Sequence, residues 1–212
     1  MATKKPIIPE VISYLTLRKT LGILGILLPV ILLFGSYVLG GHQEIQKSIS
    51  AYYYTNMGNV LVGVLFSYGL FLFAYKGYGK IDNLAGNIGC IFALGVALLP
   101  CLNETPLIRH LHLVSASLLF LIFAFFSIFL FTKSKHKKPL PPKKRIRNRW
   151  YRGCGYTILG SMLLMGIYFI FLEESVPGLA KLKPIFWLES LALWAFGISW
   201  IIKGKVLFAD KK

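Results

Sequence analysis

The stretch His110-Leu-His-Leu-Val-Ser-Ala-Ser-Leu-Leu-Phe-Leu-Ile-Phe-Ala-Phe-Phe-Ser-Ile-Phe-Leu-Phe-Thr132 runs straight into Lys133-Ser-Lys-His-Lys-Lys-Pro-Leu-Pro-Pro-Lys-Lys-Arg-Ile-Arg-Asn-Arg149. Its first part holds no Asp, Glu, Lys or Arg, and as a helix rising about 1.5 Å per residue it exceeds the roughly 30 Å of a hydrocarbon core. Its second part is so basic that it belongs in water or against headgroups. An apolar run ending in a block of cations is how a membrane-spanning helix meets an aqueous face.

Five more apolar runs flank it, and the six spans expected are about 21–40, 59–75, 84–102, 110–132, 155–172 and 184–202. In lipid the backbone has to satisfy its own hydrogen bonds, so each run should be helical. The composition agrees. Hydrophobic residues make up 56% of the 212 and charged ones only 15%, below the quarter or so usual in soluble domains. Mean hydropathy is +0.64. The expected fold class is therefore all-α, a polytopic bundle forming a single membrane domain over 1–212.

Lys and Arg set the expected orientation. The N-terminal segment, the connection between spans two and three, the basic loop 133–152 and the C-terminal segment hold twenty of the twenty-four basic residues. By the positive-inside rule both ends then face the cytoplasm. The net charge of +16 does not point to nucleic acid, because the cations sit between apolar runs instead of covering one folded face. The prolines of 133–149 predict an irregular, solvated loop. That loop would anchor the topology and attract anionic lipid headgroups. Three scattered cysteines (Cys90, Cys101, Cys154) form no disulfide framework.

Span three repeats Ala85, Gly89, Ala93 and Ala97, a small-residue stripe that lets a neighbouring helix approach closely. It predicts a central place in the bundle, or alternatively a homodimer face. Tyr52, Tyr53, Tyr54, Trp150, Tyr151 and Trp187 are expected to anchor the interfaces.

The expected outer side gathers five of the eight acidic residues, three histidines and the hydroxyl-rich Ser48-Ile-Ser-Ala-Tyr-Tyr-Tyr-Thr-Asn56. Glu189 stands out as a carboxylate inside a span, which should face the bundle and have a partner. His112, at similar depth in span four, is the expected partner. The ligand-binding candidates are His42, Ser48, Ser50, Tyr52, His112 and Glu189. No metal site is expected: His110 and His112 lie about 200° apart around a helix, and no HExxH-type spacing is present. No cofactor fingerprint or nucleophile elbow occurs either, so no catalytic residue is assigned.

Three segments carry a resemblance. Gly41-His-Gln-Glu-Ile-Gln-Lys-Ser-Ile-Ser50, His112-Leu-Val-Ser-Ala116 and Glu189-Ser-Leu-Ala-Leu-Trp-Ala-Phe-Gly197 make the chain resemble the six-span family of damage-regulated autophagy modulators and post-GPI-attachment lipid-remodelling factors. Bacterial six-span families share that layout. The resemblance implies a non-enzymatic membrane protein with an outward-facing polar pocket for a lipid headgroup or a partner membrane protein. The expected location is a bacterial inner membrane. The alternative expectation, an intramembrane metal-dependent lipid hydrolase, rests on similarity to membrane hydrolases such as the alkaline ceramidases. Those have seven spans and a zinc held by three histidines, whereas the last span here carries Glu189 and no histidine.

Overall fold

The computed structural model describes residues 14–39, 44–77, 79–102, 105–134 and 140–204. Among them every regular element is a helix: α1 (Tyr14–Val38), α2 (Gly58–Phe73), α3 (Lys80–Leu98), α4 (Pro106–Phe125), α5 (Pro142–Ile167) and α6 (Pro184–Lys203). Short 3-10 segments span Ser50–Tyr54 and Pro177–Leu182, and α4 and α5 run on as π-helical turns, Phe126–Leu130 and Tyr168–Leu172. Five helical stretches are long and apolar enough to cross a membrane, while α2 is apolar but shorter at 16 residues. This helical apolar bundle fits an integral membrane protein.

The helices alternate in direction, neighbours in sequence pack together, and α6 packs on both α5 and α1. At one end Arg18 of α1, Tyr75 after α2, Asp82 of α3, Lys133 after α4, Lys144 of α5 and Lys203 of α6 come together. We call this the basic end. At the other, the Glu189 end, Asn56 before α2 donates its Nδ2 to the Leu39 carbonyl at 3.0 Å, and Phe186 N of α6 donates to Lys47 O at 3.1 Å. The Arg18 guanidinium lies 5.6 Å from the centre of the Tyr75 ring. Segment 56–75 therefore accompanies α1 from the Leu39 level to the Arg18 level, despite the modest length of α2.

Helix boundaries depart from the hydropathy runs where proline intervenes. The third helix stops at Leu98 instead of about 102. Pro100 disfavours helical backbone at the residue before it, and Leu99 is extended (φ −102°, ψ 110°). The basic segment is the larger correction. Residues 133–152 are not one irregular loop, because α5 begins at Pro142 and carries Lys143 to Arg152 on its first turns. Proline is accommodated at the first helical position, where its missing N–H had no partner to lose. The same logic starts α4 at Pro106 and α6 at Pro184.

Ala85, Gly89, Ala93 and Ala97 are all buried, as their spacing predicts. The central position nevertheless belongs to α6, where twelve of twenty residues are buried. Its route is opened by glycine. A Cβ on Gly197 would stand 2.6 Å from the Gly22 carbonyl, and one on Gly22 would stand 2.7 Å from the Gly197 carbonyl. The α1 and α6 backbones thus touch with no room for a side chain, the small-residue packing that membrane helices use in place of a hydrophobic drive. Along α6, Phe196 stacks on Phe123 at 3.8 Å and meets Tyr68 edge-on at 5.6 Å. Trp200 contacts Tyr75, Phe126 and Phe131 at 5.4, 5.5 and 5.0 Å. Two of the expected interfacial anchors, Tyr52 and Tyr151, are buried instead, whereas Tyr54, Trp150 and Trp187 are exposed.

Candidate functional site

The first connection does not stay outside the bundle. After Lys47 the chain turns inward as the 3-10 segment Ser50–Tyr54, with Ala51 and Tyr52 buried. A helix start leaves backbone N–H groups without internal partners, and inside a protein each must find one. Here Ile49 N donates to Glu189 Oε2 at 2.5 Å, and the N–H of Ser50 also bonds to this carboxylate. Ala51 N donates to Ser48 Oγ at 3.0 Å. Glu189 of α6 thereby caps a turn 140 residues away and fastens the connection to the bundle. Tyr52 packs beside this latch, its ring 5.9 Å from that of Phe186. Burial pushes the Tyr52 phenol up, offset in part by a backbone hydrogen bond from Gln46.

The expected pairing of Glu189 with His112 is not formed. His112 Nδ1 lies 2.7 Å from the Leu99 carbonyl, one of the C-terminal acceptors left open when α3 ends early. The histidine therefore ties α4 to the end of α3. His110 faces away and is exposed, with Nδ1 2.6 Å from Pro106 O. The divergence of the two histidines follows the helical spacing. His42 lies outside the described residues. Among those described, no three His, Cys, Asp or Glu side chains converge.

Glu189 and Ser50 line a cavity of about 40 Å³ whose other walls are almost wholly apolar, among them Leu28, Leu65, Ala116, Leu119 and Phe123. Ser50 and His112 share a smaller void of about 10 Å³ with Tyr53 and Cys101. A water needs about 10–15 Å³ measured this way, so the first holds a few waters or one small polar group and the second at most one water. The expected polar pocket is thus narrow and mainly apolar. Tyr52 and Ser48 line neither void; they hold the turn.

Tyr68 also lines the larger cavity, and its hydroxyl is buried and without a hydrogen-bond partner among the described residues. Sequence reading passes over it, since a tyrosine in an apolar run reads like any other aromatic. Toward the rim, Leu102 N donates to Tyr54 Oη at 2.9 Å. Burial, reinforced by the charge of Glu189, pushes the Cys101 thiol up to about 11.

The basic end holds a second buried carboxylate among the described residues. Asp82 is wholly enclosed in the first turn of α3 and pairs with Lys133 Nζ at 2.7 Å. Its place near the positive pole of α3 agrees with the helix dipole. No family model, curated protein or solved structure matches the chain.

Proposed function

We propose that this chain is a six-span integral membrane protein with both ends in the cytoplasm, in a bacterial inner membrane, acting by binding instead of by catalysis. Its ligand is an amphiphile whose small polar group enters the cavity beside Glu189, Ser50 and Tyr68, while its apolar chain follows the walls. The observation that carries this reading is the Tyr68 hydroxyl. A buried polar group left unpaired costs about 1–3 kcal/mol, and such groups are commonly answered by a water or a ligand atom. The sixth span is supported by the course of segment 56–75 beside α1, and the orientation by the gathering of cations at one end. The outer-segment resemblance to the lipid-remodelling family points to the same class of ligand.

Native mass spectrometry of the full chain released from mild detergent tests this. The expected result is one retained lipid per chain, lost in an Ala116→Leu variant that fills the cavity without touching its polar groups. A wild-type chain carrying no lipid, or an Ala116→Leu chain that keeps it, contradicts the reading.

A further inference from the structure

The cavity at Glu189, about 40 Å³, admits a group no larger than a few waters. Its polar walls are not interchangeable. Glu189 accepts from the backbone N–H groups of Ile49 and Ser50. A carboxylate offers about four acceptor sites, so the turn leaves it capacity to accept from a group in the cavity.

Tyr68 of α2 is the complement. Its ring meets Phe123 edge-on at 6.2 Å and Phe196 edge-on at 5.6 Å, and close packing of this kind holds a ring in place. The residue is 1% exposed, and its hydroxyl has no hydrogen-bond partner among the described residues. A phenol carries one O–H donor, and here that donor is open. Leu28, Leu119 and Phe123 supply apolar wall between the two polar residues. A group that answers both needs a donor for Glu189 and an acceptor for Tyr68, within the space of a few atoms.

We propose that the group held between Glu189 and Tyr68 is a hydroxyl on a hydrocarbon chain, so that the ligand is a neutral hydroxy-lipid. A long-chain alcohol and a glycerolipid with a free hydroxyl both belong to that class. One oxygen serves both walls, donating its O–H to Glu189 and accepting from Tyr68 through a lone pair. An ionised carboxylate or a phosphate diester offers acceptors only, which answers Tyr68 and sets acceptor against acceptor at Glu189. An ether has the same defect without the charge. An ammonium has donors only and leaves the Tyr68 O–H open. This inference rests on the reading of the cavity as an amphiphile site and adds the chemistry of the headgroup.

The test uses the full chain in a detergent that has no hydroxyl, titrated with dodecanol, dodecyl methyl ether, dodecanoate and dioctanoylglycerol. Bound ligand is read by native mass spectrometry and the melting temperature by thermal unfolding. Dodecanol should bind one-to-one, about fivefold more tightly than its ether and at least tenfold more tightly than dodecanoate. Tighter binding of dioctanoylglycerol than of dodecanol assigns the site to a glycerolipid, and the reverse assigns it to a free alcohol. Tyr68→Phe should weaken dodecanol about fivefold while leaving the melting temperature of the ligand-free chain unchanged or raised, because the hydroxyl it removes has no partner to lose. Ether or dodecanoate binding as tightly as dodecanol overturns the proposal in the wild-type chain alone, whatever the variant does. Full dodecanol affinity in Tyr68→Phe overturns it as well. The two readings fail differently. Amphiphiles that bind without preference for the hydroxyl, and are lost in Ala116→Leu, remove this inference and leave the cavity reading standing. Binding of none of the four removes both.

Discussion

Among the described residues the bundle encloses two carboxylates, one near each end, and holds them in opposite ways. Glu189 accepts from backbone N–H groups of a turn that folds in toward it. Asp82 is held by the ammonium of Lys133 and lies among further cations. The first arrangement needs an acceptor in the right place; the second needs a negative charge. A carboxylate can therefore serve as a backbone cap at one end and as the counter-charge of a cationic cluster at the other, within one small fold.

The most severe break is expected at the frame that keeps the ends apart. Gly197→Leu forces a side chain into the α1 backbone, where even a Cβ has no room. The overpacking cost exceeds about 3 kcal/mol, seen as loss of the monodisperse peak in size exclusion. Next comes Asp82→Ala, which removes the enclosed partner of Lys133 and should lower stability by about 2–4 kcal/mol. Glu189→Ala follows at about 1–3 kcal/mol, the cost of leaving the Ile49 N–H without its acceptor.

The neutral isosteres sharpen the contrast. Glu189→Gln keeps an acceptor oxygen and should cost under about 1 kcal/mol, whereas Asp82→Asn loses the charge and should cost about 2 kcal/mol. Thermal unfolding in one detergent ranks all of these, and equal costs for the two isosteres would erase the distinction. The smallest effect is at Cys101. With its thiol pushed up to about 11, thiolate is scarce at pH 8 and alkylation should be about a hundredfold slower than for an ordinary thiol. Removing the neighbouring negative charge in Glu189→Gln lowers that pKa, so alkylation should quicken by about twofold.

Much of the fold was legible because a span leaves a long signal. The run from His110 to Thr132 and its basic sequel identify a membrane helix without reference to any other part of the chain. Boundaries were less legible, since hydropathy ignores backbone chemistry. Leu99-Pro100 ends α3 inside an apolar run, and Pro142 starts α5 inside a charged one. At the Glu189 end, the importance of Glu189 could be read from its depth in a span. Its partner could not, because the turn at Ser50–Tyr54 enters the bundle by tertiary packing that no local pattern records. The cationic cluster was hidden for a related reason. Twenty basic residues expected on one side speak to orientation, but which of the described ones turn inward depends on how α5 is rotated against α6.

The proposed six-span arrangement requires that α2, the shortest of the helices α1 to α6, cross the membrane. In a background with the three native cysteines replaced by serine, Lys47→Cys and Lys76→Cys flank that helix, and both positions are exposed. A membrane-impermeant maleimide added to intact cells should label Lys47→Cys and leave Lys76→Cys unlabelled until the membrane is opened. Labelling of both from outside, or of neither, would place the two positions on one side and contradict the six-span arrangement.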